Sequence, residues 1–248
     1  MTKTRPRTTV SKDSLIREQA YRHIQRKIVS GDLRVGEAVS EILIAKELGS
    51  SRTPIREALG QLVAEGLLEQ TPNRGAIVVQ FGRQDIIDLF ELREALEIFA
   101  VGKAAARPVR EADLDRLKVL VDEILALKKE LDKSARDSLN SSQFQEFIKS
   151  DMGFHTLLIR MAENARISKV VNDTRLLIRI FATRGLPNGK ELEAVHQQHS
   201  EVLQAVSVRN PARAMEAIGA HIRESLHNRL DEFDNWEREA SLEMDIHF

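Results

Sequence analysis

The sequence contains no cysteine, which excludes disulfides and thiolate metal sites and points to a reducing compartment. Aromatic residues make up 4% of it, and there are 12 glycines and 6 prolines among 248 residues. That is too little turn and β-core material for a sandwich or barrel. No window holds the ~18 continuous apolar residues that a membrane-spanning helix requires. The opening stretch MTKTRPRTTV is basic and polar and lacks the apolar segment of a signal peptide. A mainly α, cytoplasmic protein with no membrane partner is therefore expected. Against these absences stand 42% hydrophobic and 30% charged residues, enough for one large domain or two modest ones. The net charge is -1, but residues 1–80 hold 13 Lys/Arg against 9 Asp/Glu, and the remainder 24 against 29. A basic first third on an acidic remainder suggests a nucleic-acid-binding module joined to a domain of another kind.

Residues 1–11 read as a disordered basic tail and residues 12–80 as a first domain. Leu15, Ile16, Ala20, Ile24 and Ile28 recur at helical spacing, with Asp13 placed to cap the helix. SGDLRVGE reads as a loop. In SEILIAKELG, Ser40 caps, Leu43, Ile44, Ala45 and Leu48 form an apolar stripe, and Gly49 stops the helix. Pro54 is expected at the first position of the next helix, where its missing N–H costs nothing. That helix carries Ile55, Ala58, Leu59, Leu62 and Val63 and ends at Gly66. LLEQTPNRGAIVVQ reads as two short strands around a Pro-Asn-Arg-Gly turn. Helix, helix, tight turn, helix and hairpin make a winged helix-turn-helix. After Arg83 the strand signals vanish, and helical stretches follow near 84–108, 111–134, 142–163, 165–185, 190–208 and 210–232. Residues 84–240 are expected to form an antiparallel all-α bundle of six to seven helices, with the domain boundary near 80–84.

In a helix-turn-helix the recognition helix enters the major groove with its N-terminal residues toward the bases. Here that end reads SSRTPIREAL. Arg52 and Arg56 are four apart and share a face, and arginine is the commonest bidentate reader of guanine. Ser50, Ser51 and Thr53 are short donors suited to phosphate oxygens at a helix N-terminus. Arg74 and Gly75 stand at the hairpin tip, within reach of the minor groove or its phosphates. Out of context, RTPIRE reads as readily as a solvated surface with Arg56 paired to a nearby glutamate. The helix-turn-helix order favours double-stranded DNA as the partner.

The second domain holds a different chemistry. Asp151 and His155, in SDMGFHTLLIR, are one helical turn apart, so a carboxylate and an imidazole leave the same face. His199 lies on the apolar side of its helix with Val202, Leu203 and Val206. His221 does so with Met215, Ile218 and Ile222. The break at RNP makes these two helices a hairpin, with each histidine about eleven residues from the turn and so at matching height. His196 competes with His199 but sits one turn further from the break. A lone histidine on an apolar face is ordinarily a satisfied core residue; the hairpin symmetry is what makes one Asp and three His a metal-site candidate. A metal-dependent hydrolase or lyase is the rival reading, because open positions on such a metal activate water. No further carboxylate or histidine sits in a motif that reads as a general base.

GDLRVGEAVSEILIAKELGSSRTPIREALGQLVAEGLLEQTPNRGAIV resembles the DNA-binding domain of GntR-family bacterial transcription regulators. Two positions depart from the family pattern. Val35 stands where proline is usual, and Ile42 where some members carry a DNA-contacting arginine, so Ile42 is left out of the contact set. LFELREALEIFAVGKAAAR, DMGFHTLLIRMAENARI, HSEVLQAV and AMEAIGAHI are similar to the FCD effector-binding domain of the FadR subfamily. That resemblance implies a divalent metal on Asp151, His155, His199 and His221, zinc first, with nickel or manganese as alternatives. It implies a small carboxylate or sugar acid docked there, with Arg93, Glu97 and, more loosely, Arg175 near the pocket. It also implies a homodimer on a pseudo-palindromic operator, a repressor by default, and no enzymatic activity.

Overall fold

The computed structural model describes residues 12–30, 32–72, 75–181 and 186–245. The chain divides into two compact units, parted between Gln80 and Phe81. The first contains α1 (Lys12–Ser30), β1 (Ala38–Val39), α2 (Glu41–Glu47), α3 (Arg52–Ala64), β2 (Leu68–Thr71) and β3 (Gly75–Val78). Ser40 caps α2, its side chain accepting from the Leu43 N–H. The α2–α3 turn depends on Gly49, whose φ is +59°. With glycine in the left-handed region, Ser50 N–H reaches Ala45 C=O and Gly49 N–H reaches Lys46 C=O, satisfying carbonyls the helix end would otherwise leave bare. Ala20, Ile24 and Ile28 of α1 bury against Ile55, Ala58 and Leu62 of α3.

Two local expectations are corrected. Helix α3 starts at Arg52, not at Pro54. Proline in the third helical position is still within the first turn, where backbone N–H groups have no intrahelical acceptor. Asp13 likewise lies inside the first turn of α1 instead of capping it. A third strand is also present. Residues 38–39 pair antiparallel with β3, Ala38 opposite Ile77, so the wing sheet has the order β1-β3-β2. Two residues are too short to show a period of two, which is why the stretch reads as loop.

The second unit contains α4 (Arg83–Ala105), α5 (Glu111–Asp132), α6 (Ser141–Met161), α7 (Ala165–Phe181), α8 (Gly189–Ser207) and α9 (Pro211–Asp245). Six helices among the described residues form an all-α bundle. Its main core joins α4, α5, α6, α8 and α9 through Phe90, Val101, Leu117, Phe154, Val202 and Ile218. Helix α9 runs on to Asp245, beyond the expected end near 232. At RNP, Arg209 takes φ +55°, Asn210 accepts from the Arg213 N–H, and Pro211 opens α9. Those three residues turn the chain back on itself and so place α9 against α8. Gly102 brings α4 close to α9: a Cβ there would lie 2.6 Å from Met215 Sδ. No helix among the described residues is long and apolar enough to cross a membrane.

Candidate DNA interface and candidate metal centre

In the first unit, Ser51, Arg52, Thr53 and Arg56 are all exposed at the start of α3. Gly75 opens β3, while Arg74 lies outside the described residues. A cleft is lined by Arg52, Arg56 and Gly75 together with Ser40, Glu41 and Ile42 of the α2 end. Both guanidinium groups turn to Glu41, a residue the sequence reading did not single out. Arg52 donates through Nη2 at 2.9 Å and Nε at 3.3 Å, both to Oε2. Arg56 donates through Nε to Oε1 at 3.1 Å and through Nη2 to Oε2 at 3.0 Å. The bond from Arg56, and after it the bond from Arg52, hold the Glu41 carboxyl below the usual glutamate range against the opposing effect of burial. Ile42 is 63% exposed beside them.

In the second unit, α6, α8 and α9 bring Asp151, His155, His199 and His221 together, with one ligand atom from each inside a 4.8 Å group. His155 Nε2 is 3.2 Å from His221 Nε2, and His199 Nε2 is 3.4 Å from His221 Nε2. Asp151 Oδ1 lies 3.7 Å from His155 Nε2 and 3.5 Å from His199 Nε2. His196 is not in the group. The hairpin that the RNP break creates does set His199 and His221 at one height.

Further partners orient the rings. His155 Nδ1 is 2.7 Å from Glu97 Oε2, and Arg93 Nε donates to Glu97 Oε1 at 2.9 Å. A carboxylate paired with a guanidinium accepts hydrogen bonds, so Nδ1 carries the proton and the Nε2 lone pair faces the cluster. Arg93 Nη2, a donor only, lies 3.1 Å from that Nε2, which requires the same tautomer. His221 Nδ1 is 2.7 Å from Gln198 Oε1. The Gln198 amide NH2 is committed to Glu224, so its oxygen faces the ring and His221 Nε2 also presents a lone pair. Phe154 stacks on His199 with ring centroids 4.1 Å apart and 10° between planes.

This arrangement fits a cation. The lone pairs of His155 Nε2 and His221 Nε2 converge 3.2 Å apart; Arg93 Nη2 donates to the first of them, and a cation bound in the cluster would take that donor's place. Donors about 2.1 Å from a shared ion stand about 3.0 Å apart in an octahedron and about 3.4 Å apart in a tetrahedron, close to the spacings observed. Histidines oriented through Nδ1 by a carboxylate or a carbonyl oxygen are the usual supporting shell of metal ligands.

A cavity of about 110 Å³ is lined by Arg93, Asp151 and His221, with Phe90, Phe147 and Ile148 among its apolar walls and Ser225, Asn228, Arg229 and Glu232 among its polar residues. It has room for several water-sized volumes, hence for a small ligand. Glu97 is not among the lining residues and is fully buried. It stands within hydrogen-bond distance of both Arg93 and His155. Arg175 falls on α7, and its side chain lies outside the described residues. Burial raises the Glu232 carboxyl above its ordinary value, opposed by Arg229 and reinforced by Glu191. Gln198 and Phe154 were missed from sequence, although each is the immediate neighbour of a ligand.

The family model described as "Bacterial regulatory proteins, gntR family" matches residues 16–78, and the FCD domain model matches residues 88–224. The Nta operon transcriptional regulator of Aminobacter aminovorans is 32% identical over 203 residues, covering 82% of this chain and 89% of that protein. The probable D-xylose utilization operon transcriptional repressor of Paenarthrobacter nicotinovorans is 29% identical over 219 residues, covering 87% of each. Among solved structures, E. coli McbR/YncC superposes with a TM-score of 0.71 at 18% identity, over 88% of this chain and 98% of that one.

Proposed function

The chain belongs to the GntR family of bacterial regulatory proteins and carries an FCD domain, and on that premise we propose that it is a ligand-responsive repressor acting as a homodimer on a pseudo-palindromic operator. It is a DNA-binding transcription regulator and not an enzyme. Residues 12–80 are the DNA-binding domain and residues 84–240 the sensor and dimerisation domain, working in the cytoplasm. Ser51, Arg52, Thr53 and Arg56 form the DNA contact, joined by Arg74 and Gly75 at the wing.

The sensor reading is carried by one observation: the supporting residues turn the lone pairs of His155 and His221 toward the same point. Asp151, His155, His199 and His221 would hold a divalent ion there, zinc in the first instance, nickel or manganese otherwise. Such an ion supplies a Lewis-acidic docking point for one oxygen of a small carboxylate. Arg93, which lines the cavity, donates to the carboxylate. Glu97 keeps Arg93 in place by their ion pair, with both side chains almost wholly buried. Arg93 lies on α4, the helix that directly follows the DNA-binding unit in sequence. An effector that binds one arrangement of that helix more tightly than another shifts operator affinity by the difference.

Screening small carboxylates by thermal shift tests this reading. In metal-loaded protein, a binding carboxylate at a hundred times its Kd should stabilise the fold by ~2.7 kcal/mol. A chelator should remove the shift. A shift unchanged by chelation would refute the metal-held carboxylate.

The proposed dimer contact is the exposed apolar face of α4. Leu92 is 42% exposed and Phe99 55%, seven residues apart and so on one helix face. Helix-turn-helix dimers read two half-sites one DNA turn apart, about 34–36 Å. Phe99→Glu should convert the dimer to monomer in light scattering. A variant that remains dimeric would move the interface elsewhere.

A further inference from the structure

We propose that Glu41 is a positioning residue for DNA recognition, yoking Arg52 and Arg56 into one preformed fork while holding down affinity for unrelated duplexes. This rests on α3 being the recognition helix. Glu41 is well placed for the task. It opens α2, which is capped by Ser40 and anchored by buried Ile44 and Ala45. Its side chain is 24% exposed, against 57% and 67% for the two arginines that it holds.

The bonding pattern selects which part of each arginine is left for a base. A guanidinium has two edges that bind bidentately, one through Nε and Nη2 and one through Nη1 and Nη2. Both arginines turn the Nε and Nη2 edge to Glu41. The Nη1 ends remain for guanine O6 and N7. Two flexible side chains are thereby ordered before DNA arrives, and less freedom is lost on binding. The same carboxylate repels phosphate. A duplex offering only backbone contacts meets that repulsion without base contacts in return, whereas an operator regains the loss through its base edges.

The experiment uses the full-length protein and binding sites that it enriches from a random duplex pool. Affinity for an enriched site and for a shuffled duplex is measured between 50 and 200 mM salt for wild type, Glu41→Gln and Glu41→Asp. Glu41→Gln should bind the shuffled duplex roughly threefold tighter at the lower salt and lose that gain at the higher, as one added phosphate contact would. Its ratio of specific to shuffled affinity should fall on the order of tenfold. Glu41→Asp keeps the charge but is too short to hold both arginines. Its shuffled affinity should stay at the wild-type level while its site affinity falls. A Glu41→Gln ratio within twofold of wild type would overturn the proposal, as would both affinities falling together with melting temperature. Wild-type behaviour of Glu41→Asp would exclude the yoke. Should Arg52→Ala also leave site binding intact, the recognition-helix assignment itself would fail, and not this refinement alone.

Discussion

Protein carrying His199→Ala and His221→Ala together should retain no stoichiometric metal after purification and dialysis, whereas the wild type should retain about one ion per chain by elemental analysis. The expectation follows from the geometry. The two Nε2 atoms lie 3.4 Å apart, and their removal leaves Asp151 and His155, one turn apart on α6, as a two-donor remnant. Chelation should lower the melting temperature of the wild type and leave the double variant unmoved, since a ligand stabilises only the state that it binds. A milder variant separates ligand loss from general disruption. Gln198→Ala removes the acceptor that orients His221 and should weaken metal binding ~10–100-fold without abolishing it. Stoichiometric metal in the double variant would place the site elsewhere.

Arg52→Ala should weaken operator binding by ~1–3 kcal/mol, roughly five- to 150-fold, and relax base preference at one position. Dimer mass and metal content should be unchanged, because Arg52 is exposed in the first unit and contacts Glu41 alone among the bonds described. Ser51→Ala and Thr53→Ala should behave differently. If their hydroxyls meet phosphate, affinity falls about equally for all duplexes, and the salt dependence stays as in the wild type because a hydroxyl carries no charge to neutralise phosphate. A footprint unaltered by Arg52→Ala would show that α3 is not the reading helix.

Much of this was legible locally. The helices of the second unit follow from apolar spacing, and the ends of α2 and α8 from Gly49 and the RNP break, because periodicity and turn chemistry depend on neighbours a few residues away. Four of the six candidate DNA contacts, Ser51, Arg52, Thr53 and Arg56, sit within six consecutive residues at a helix start. The metal candidates needed one further step, the symmetry of a hairpin about its turn. It sufficed for His199 and His221 because a helix rises by a constant 1.5 Å per residue.

Where the reading fell short, the partners were remote or the element was brief. Strand β1, at two residues, has no period to detect. Pro54 marked the start of α3 only to within two residues, since any position in the first turn tolerates a missing N–H. Glu97 could be assigned to the site but not to its side of the pocket, because helical spacing does not say which neighbour a buried face meets.

By itself the sequence determined the order of elements, the division into a basic reader and an acidic helical domain, and the residue types able to meet DNA and a metal. These rest on backbone geometry and side-chain chemistry, which act over a turn or two. The tertiary structure alone decided that Glu41 holds both arginines, eleven and fifteen residues away. It alone showed that Glu97 and Gln198 turn His155 and His221 toward a common point, across 58 and 23 residues. Such pairings arise from how whole helices pack, and packing is set by the summed burial of the core, not by the residues that the packing brings together.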